Sequence, residues 1–510
     1  MTPTGRRSTA FWRRVVLVSL AALSISGCRG TPPARSPARP PRDSILRLKT
    51  HILTLLADPA LERTTWGIAV QSVSRGADLF SLGSDRLLSP ASTLKIVTLA
   101  TTAERLGWEH RYETRVVAGG PISAGVLQGD LIVVGSGDPS IDDWDGAASR
   151  LFQTWAEQLK ATGVTRITGR VVGDARAFED ERLGAGWAWD DLGASFATGV
   201  GALQFNQNTA QLLIAPDTVP GGTALITLRP SYAPVRFYSQ VGTAAASQLA
   251  NVTIRRGQRD GALYLAGSVP IGPALVRNVS VENPSEYFAK SLRKALVAGG
   301  IAVDGEAADI RELPDPPVQA GQLLTLHRSA PLSELAVTMM KLSQNLYAET
   351  LLKTLSTSAT GVGSTVVGST GAGQAVVRDV IQRWGVSPSA VQMADGSGLS
   401  RYNLVTPQAL VQILVHVHHD ERLRAPFEST LPIAGVDSTL ADRLKGTPAE
   451  GNAVAKTGSM LNVRAIAGYV RTAEAEPLAF AIIANNYAVP TGVVDRATDG
   501  IIAALAAFRR

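Results

Sequence analysis

Cysteine and charged residues are scarce in this sequence, and acidic residues are absent from its first part. Among 510 residues there is a single cysteine, Cys28, which excludes a disulfide within the chain. Charged residues make up 18% and hydrophobic residues 45%, which excludes a largely disordered chain and is typical of globular domains. Residues 1–42 hold eight arginines and no aspartate or glutamate, so residues 43–510 carry −2 although the whole chain carries +6. Because the basic excess lies outside the body of the chain, we expect no nucleic-acid partner.

An apolar run long enough to cross a membrane is also missing at the N-terminus. Four arginines precede residues 15–27, which are uncharged, but these 13 residues fall short of a spanning helix, which needs about 20. A basic segment followed by a short apolar one predicts a secretory signal peptide over residues 1–27. The run ends in Ile25-Ser26-Gly27-Cys28, which resembles the lipobox of bacterial lipoproteins and implies lipidation of Cys28 after cleavage. An ordinary signal peptide with an incidental cysteine is the alternative.

The length of the chain and its changing pattern predict several domains. A single hydrophobic core stops growing at roughly 250–300 residues, so this chain needs two or three. Residues 28–43 are rich in proline and arginine and predict an extended tether, with ordered structure from about residue 44. We expect an α/β (α+β) fold whose parts are as follows: a main domain split in sequence (44–112 and 318–510), an inserted α/β domain (113–204 and 276–317) and an inserted small, mostly β domain (205–275).

The first candidate for chemistry is Ser92-Thr93-Leu94-Lys95, at the start of a helix predicted from Ala91 to Leu106. Residues three apart share a helix face, so the Ser92 hydroxyl and the Lys95 amine can meet. A serine hydroxyl needs a neighbouring base to become a nucleophile, and a lysine can be that base when burial lowers its pKa. The alternative is a helix cap beside a solvated lysine, because this short pattern is common by chance.

The second candidate is Ser343-Gln344-Asn345, which we place in a loop between a helix ending near Leu342 and one beginning near Ala348. It offers a hydroxyl that can relay a proton and an amide that can bind a substrate carbonyl. A polar turn between two helices is the alternative.

The third candidate is Lys456-Thr457-Gly458-Ser459, at the end of a strand predicted from Ala453 to Lys456. The lysine and the two hydroxyls can hold a substrate carboxylate, and Gly458 lets a substrate backbone lie close to the strand. A strand end that turns outward is the alternative.

The three motifs together indicate one class of protein. In the order S-x-x-K, S-x-N and K-T-G they mark penicillin-binding proteins and serine β-lactamases. Ser343 follows Ser92 by 251 residues, and this long insertion resembles the D-alanyl-D-alanine carboxypeptidase/endopeptidases of the peptidase S13 family. Four further segments carry the same resemblance along nearly the whole mature chain: Gly135-Ser136-Gly137-Asp138-Pro139, Gly169-Arg170-Val171-Val172-Gly173-Asp174, Asp395-Gly396-Ser397-Gly398-Leu399-Ser400-Arg401 and Val463-Arg464-Ala465-Ile466-Ala467-Gly468-Tyr469.

The resemblance implies a β-lactamase/transpeptidase-like fold for the main domain and catalysis through an acyl-enzyme. Ser92 would attack the peptide carbonyl between two D-alanines of a peptidoglycan stem peptide or cross-link, with Lys95 as general base. Ser343 would pass a proton to the leaving amine, Lys456 would supply positive potential, and Asn345 would orient the substrate. Water would then hydrolyse the acyl-enzyme.

The resemblance also implies a substrate-binding strand. Thr457 and Ser459 would bind the terminal carboxylate of the substrate on either side of Gly458. The backbone N–H groups of Ser92 and Ser459 would form the oxyanion hole.

Three residues outside the motifs match, by local pattern, positions at which relatives contact the side chain of the diaminopimelate stem residue. They are Asp191, Phe196 and Arg401. Asp191 ends the segment Trp187-Ala188-Trp189-Asp190-Asp191, Phe196 follows it by five residues, and Arg401 ends the segment Leu399-Ser400-Arg401. A structural ion pair between Asp191 and Arg401 is the alternative.

Two other functions remain open, a serine β-lactamase and a non-catalytic wall-binding lipoprotein. The chain lacks an E-x-x-L-N segment, the usual source of a deacylating glutamate in one β-lactamase class. His416, His418 and His419 lack a carboxylate-rich companion motif, so we expect neither a metal nor another cofactor.

The partners and location follow from the leader and the resemblance. We expect peptidoglycan stem peptides as substrates, β-lactam antibiotics as inhibitors and a membrane contact through lipid on Cys28. The protein would be exported and anchored in the bacterial envelope, facing the periplasm. The outer membrane is favoured where one exists.

Overall fold

The structure, a computed structural model, describes residues 41–317, 321–357 and 366–510. The predicted signal peptide, Cys28 and most of the predicted tether lie outside these residues. Helix α1 begins at Pro41, slightly before the predicted start at residue 44, and buries Leu48 and Ile52 on one face. Within the described residues, no helix combines the length and apolar character needed to cross a bilayer.

The α-helices carry apolar residues at helical spacing, and some of them begin at a side-chain cap. At the start of the helix Pro284–Ala298, for example, Asn283 accepts the N–H of Glu286 and Pro284 occupies the first turn, where its missing N–H does no harm. The helices are α1 Pro41–Leu56, α2 Lys95–Leu106, α3 Ala147–Ala161, α4 Pro284–Ala298, α5 Leu332–Lys341, α6 Asn345–Thr357, α7 Thr370–Arg383, α8 Pro407–His419, α9 Glu421–Thr430 and α10 Thr491–Ala507.

Burial along the β-strands depends on the sheet: half-buried and exposed residues alternate in the strand Asn251–Arg256, whereas nearly every residue of the strand Pro477–Asn485 is buried. They are β1 Thr65–Ser72, β2 Asp78–Leu82, β3 Glu113–Ala118, β4 Ile122–Ser123, β5 Val126–Leu127, β6 Leu131–Gly135, β7 Arg166–Ile167, β8 Val171–Asp174, β9 Thr209–Ala215, β10 Leu225–Arg229, β11 Phe237–Ala244, β12 Asn251–Arg256, β13 Leu263–Pro270, β14 Leu275–Ser280, β15 Ala302–Val303, β16 Ala307–Asp309, β17 Leu323–Arg328, β18 Val391–Gln392, β19 Leu404–Val405, β20 Val454–Met460, β21 Val463–Arg471 and β22 Pro477–Asn485.

The main sheet has the strand order β2-β1-β22-β21-β20 and is antiparallel throughout. Because neighbouring residues of a strand point to opposite faces, the sheet serves two cores. Ala467 and Ala481 face a core built with α2 and α5 to α9, whereas Ile466 and Ile482 face one built with α1 and α10. The sheet therefore lies between two layers of helices, with β20 at its edge.

The middle of the chain forms further sheets. The sheets β16-β8-β6-β3-β17 and β15-β7-β5-β4 share a core with α3 and α4. The sheets β10-β9-β14 and β11-β13-β12 pack face to face as a small sandwich around its own core. The mixed α/β fold agrees with the predicted fold class, and we retain the division into a main domain and two inserts as a proposal.

Three elements differ from the sequence-based expectation. Strand β17 pairs with β3, so the inserted α/β sheet extends beyond residue 317. Strand β14 was not predicted, and it pairs with β9, so the small β region continues to Ser280. Helix α9 was also not predicted, because Pro426 and a polar composition hide its pattern, although Asp420 caps its start.

Candidate active site

The candidate nucleophile lies in a tight turn and not in a regular α-helix. Ser92 belongs to a 3₁₀ turn from Ala91 to Leu94, and α2 begins only at Lys95, so the predicted α-helical start at Ala91 is wrong. Ala91 has a φ of +44°, in the left-handed region that an α-helix does not tolerate. Backbone strain of this kind is common beside reactive groups, where the surrounding structure holds it in place.

Two glycines allow neighbouring segments to approach this turn. A Cβ atom on Gly398 would lie 1.9 Å from the carbonyl oxygen of Ala91. A Cβ atom on Gly458 would lie 2.6 Å from the carbonyl oxygen of Pro90 and 3.1 Å from the backbone nitrogen of Ser92. Both positions therefore need glycine, because any side chain would push its segment away from Ser92.

Lys95 lies beside Ser92 in an environment suited to a general base. Its Nζ is 3.0 Å from Ser92 Oγ, 2.6 Å from Asn345 Oδ1 and 2.9 Å from the carbonyl oxygen of Ser397. The Asn345 amide is oriented by its Nδ2, which donates to the carbonyl of Phe196 at 2.8 Å. Two of the acceptors around Nζ are carbonyl oxygens, which cannot donate. A neutral lysine therefore spends both N–H groups on them and directs its lone pair at the Ser92 hydroxyl.

The protonation of Lys95 follows from its burial. Loss of solvent lowers the pKa of Lys95 to about 7, against the opposing pull of the Glu349 and Asp395 carboxylates. The free amine is thus available near neutral pH, as general-base catalysis requires.

A buried carboxylate supports Lys95 from behind, and the sequence did not suggest it. The two oxygens of Glu349 accept the N–H groups of Gly396 at 2.9 Å and Ser397 at 2.7 Å. Burial, followed by the nearby Asp395, raises the pKa of Glu349. By holding the N–H groups of Gly396 and Ser397, Glu349 positions the segment whose next carbonyl, that of Ser397, accepts from Lys95. The one sequence signal for Glu349 is its position four residues after Asn345, which places both side chains on the same face of α6.

Ser343 and Lys456 form a second hydroxyl–amine pair. Lys456 Nζ is 2.9 Å from Ser343 Oγ and 2.9 Å from the carbonyl of Thr457. Ser343 has a φ of +58° in the turn between α5 and α6. Burial, followed by the positive charge of Lys95, holds the pKa of Lys456 well below its usual range. The site thus disfavours two charged lysines at once.

The secondary structure around two of the motifs differs from the prediction. Asn345 is the first residue of α6 and not part of the loop, because that helix begins three residues earlier than predicted. The strand predicted to end at Lys456 continues to Met460 as β20. Gly458 marks the close approach to Ser92 rather than a strand end, and it stays paired with Ala465 of β21.

An open cavity of about 800 Å³ joins most of the predicted site residues. Its lining includes Ser92, Ser343, Asn345, Ser459, Asp191, Phe196 and Arg401. Lys95 and Lys456 are buried beneath it, and Thr457 donates its hydroxyl to Thr439 at 2.8 Å.

The two charged residues predicted to recognise substrate face this cavity. Arg401 donates both terminal nitrogens to the carbonyl of Leu461 at 3.4 Å. Burial and the neighbouring Asp190 raise the pKa of Asp191 against the weaker pull of Arg401. Asp191 and Arg401 thus both line the cavity and attract each other electrostatically.

The three histidines have structural partners. His416 stacks on Trp384 with ring centroids 4.4 Å apart, and His418 Nδ1 lies 2.7 Å from Glu428. His419 Nε2 lies 3.2 Å from the carbonyl of Val73.

Comparisons with known proteins agree with this geometry. A model of the D-Ala-D-Ala carboxypeptidase 3 (S13) family matches residues 48–508. A D-alanyl-D-alanine carboxypeptidase of Actinomadura sp. (strain R39) is 32% identical over 96% of this chain and 89% of its own length. The D-alanyl-D-alanine carboxypeptidase DacB of Haemophilus influenzae is 29% identical over 84% of this chain and 86% of its own length.

Solved structures of a penicillin-binding protein are also similar to this chain. The crystal structure of penicillin-binding protein 4 from Haemophilus influenzae matches with a TM-score of 0.76 and 28% identity, covering 86% of this chain and 94% of that one. A structure of that protein complexed with a β-lactam matches with a TM-score of 0.70 and 25% identity, covering 86% of this chain and 93% of that one.

Proposed function

The chain belongs to the D-Ala-D-Ala carboxypeptidase 3 (S13) family of serine peptidases that act on peptidoglycan, and we propose that Ser92 is its nucleophile. The observation that carries this assignment is the Lys95 amine 3.0 Å from Ser92 Oγ, with its two other contacts on carbonyl oxygens. This arrangement leaves the hydroxyl proton of Ser92 facing the lone pair of a neutral amine.

The proposed acylation step uses both hydroxyl–amine pairs. As Ser92 Oγ bonds to the carbonyl carbon between two D-alanines, its proton moves to Lys95. The negative oxygen that develops is held by the backbone N–H groups of Ser92 and Ser459. The C–N bond then breaks as Ser343 gives its hydroxyl proton to the leaving D-alanine nitrogen and takes up the proton held by Lys95, while Lys456 donates a hydrogen bond to Ser343 Oγ. Water hydrolyses the resulting ester and frees Ser92.

The proposed substrate contacts lie along β20 and around the cavity. Thr457 and Ser459 hold the terminal carboxylate of the substrate beside Gly458, and Asn345 orients the peptide. Asp191, Phe196 and Arg401 meet the side chain of the third stem residue, where a diaminopimelate carries both charges. Support comes from their position on the cavity that contains Ser92.

We also propose the finer location of the enzyme. The Ile25-Ser26-Gly27-Cys28 segment supports a lipid on Cys28, and the Pro/Arg-rich residues 28–43 support a spacer between the lipid and the enzyme. The enzyme would then act in the periplasm from a membrane anchor, on the outer membrane where one exists.

The decisive experiment is labelling with a fluorescent penicillin, followed by mass spectrometry of the adduct. Wild type should carry a stable adduct on Ser92 and release D-alanine from muropeptides, and Ser92→Ala should do neither. The matched control is Ser387→Ala, which removes an exposed hydroxyl from a remote loop and should label like wild type. Rapid turnover of nitrocefin without a stable adduct would favour a β-lactamase. A folded wild type without adduct or turnover would favour the non-catalytic wall-binding protein.

A further inference from the structure

The small β sandwich exposes one face of its sheet β11-β13-β12 to solvent. The inner face carries Val241, Leu263 and Leu265, which are buried in the sandwich core. The outer face carries two large aromatic residues, Tyr238 and Tyr264, with 57% and 46% of their surface exposed. Exposed aromatic residues side by side are rare on a surface with no binding role.

The strand register aligns these residues in a row. Tyr238 of β11 lies opposite Tyr264 of β13, which lies opposite Arg255 of β12. The tyrosine rings are 5.2 Å apart between centroids at an interplanar angle of 32°. The Arg255 guanidinium lies 5.8 Å from the centre of the Trp189 ring, which is 51% exposed. We call Tyr238, Tyr264, Arg255 and Trp189 the aromatic platform.

The part of the sheet face next to the platform carries small or polar side chains. The next row of the same face holds Gln240, Ala266 and Thr253, opposite one another across the three strands. These small or flexible polar side chains leave the aromatic rings accessible and offer hydrogen-bonding groups along the strands.

The charge of this region differs from that of the rest of the protein. Residues 205–280 contain six arginines and two aspartates, a net charge of +4, although residues 43–510 together carry −2. The sandwich is therefore a basic unit on an otherwise acidic body and attracts anionic ligands.

The platform is linked to the active site through one segment. Ala188, Asp190 and Asp191 line the catalytic cavity, and Trp189 between them lines a separate cavity with Arg256 and Arg259 of the sandwich. A ligand on the platform thus lies next to the segment that carries Asp191.

We propose that the aromatic platform is a second binding site for peptidoglycan, which holds the polymer while the catalytic cavity takes one stem peptide. The flat apolar faces of sugar rings would pack on the tyrosine and tryptophan rings, and stem-peptide carboxylates would pair with Arg255. This inference rests on the proposed function for the identity of the polymer.

The test is co-sedimentation with insoluble peptidoglycan, using the Ser92→Ala protein so that the polymer is not digested. Tyr238→Ser with Tyr264→Ser, and separately Arg255→Gln, should each weaken binding about tenfold. The loss in Arg255→Gln should shrink at high salt. Val276→Ser changes an exposed residue on the opposite sheet of the sandwich and should bind like the parent.

The same platform changes made in the active enzyme separate this inference from the proposed function. Penicillin labelling and hydrolysis of a soluble muropeptide should be unchanged, while hydrolysis of intact peptidoglycan falls. Unchanged binding of both platform variants would overturn the inference. Binding that disappears when attached anionic polymers are stripped from the peptidoglycan would also overturn it. A wild type that binds but hydrolyses no muropeptide would refute the proposed function and leave the platform standing.

Discussion

At the scale of single residues, the candidate site depends on the hydrogen-bond acceptors that surround the Lys95 amine. Lys95 meets the side-chain oxygen of Asn345 and the main-chain oxygen of Ser397, and both are pure acceptors. Asn345 cannot rotate to present its amide nitrogen, because that nitrogen donates to Phe196. When Lys95 is neutral, its lone pair is thus left to point at Ser92.

The pH dependence of acylation follows from the pKa of Lys95. Since burial lowers this pKa from the model-peptide value of 10.5 to about 7, the amine is charged below that pH and cannot accept the Ser92 proton. The second-order rate constant of acylation by penicillin should fall about tenfold per pH unit below 7 and level off above it. Circular dichroism across the same range excludes unfolding, and Lys95→Arg, which stays charged, should be inactive throughout. A flat rate from pH 5 to 8 would contradict this role.

The glycine at position 398 allows a direct steric test. Gly398→Ala would place a Cβ atom 1.9 Å from the Ala91 carbonyl and displace the nucleophile turn, so penicillin acylation should fall at least about 100-fold. Gly221→Ala is matched in backbone strain, because both glycines have a φ of +87°, but nothing lies within 4 Å of Gly221. It should lose about 1 kcal/mol of stability and keep its acylation rate. Equal acylation rates in the two variants would refute the steric explanation.

At the scale of structural elements, the small β sandwich holds the segment that carries Asp191. Arg256 donates to the carbonyl of Leu192 at 3.3 Å and to Ser280 Oγ at 2.9 Å. Ser280 in turn donates its N–H to the carbonyl of Gly193 at 3.1 Å. Residues 191–196 thus bond to the edge of the sandwich through Leu192 and Gly193. At their other end the carbonyl of Phe196 accepts a hydrogen bond from Asn345.

This linkage predicts a specificity defect from a residue outside the catalytic cavity. In Arg256→Met the Leu192 carbonyl loses a charged donor, so Asp191 should be held less firmly. The KM for a diaminopimelate-containing stem peptide should rise about tenfold, with kcat and penicillin acylation little changed. Arg229→Met, an exposed arginine of the same sandwich, is the control and should leave the KM unchanged. A fall in kcat without a change in KM would contradict a positioning role.

At the scale of the whole molecule, the family match and the proposed anchor occupy different parts of the chain. The family match begins at residue 48, a few residues after the start of α1, whereas Cys28 and most of the Pro/Arg-rich segment come before α1. The candidate site residues lie between residues 92 and 459.

Removal of the proposed lipidation site should therefore change the location of the protein and not its chemistry. Cys28→Ser should move the protein from the membrane fraction to the soluble fraction of the envelope, and its activity on soluble muropeptides should be unchanged. Immunoblots of fractionated cells and a D-alanine release assay measure the two effects. Retention of Cys28→Ser in the membrane fraction would show that Cys28 is not the anchor.

The sequence by itself determined the family, the three motifs and most elements. Capping residues and apolar periodicity are local signals, and they predict a helix over residues 284–298 and five short strands between residues 210 and 269. Helix α4 and strands β9 to β13 lie there. The order of the motifs identified Ser92, Lys95, Ser343 and Lys456 as candidates before any distance was known.

Only the tertiary structure decided how these groups act together. Glu349, the strained Ala91 and the hold of Arg256 on Leu192 depend on contacts between segments far apart in the chain, which leave no periodic trace in the sequence. The end of β20 and the start of α6 were also decided by tertiary contacts. Strand β21 pairs with β20 past Gly458, and the core buries α6 from Asn345 onward. Local patterns fix which residues are available. Burial lowers the pKa of Lys95, and carbonyls from remote segments direct its lone pair at Ser92.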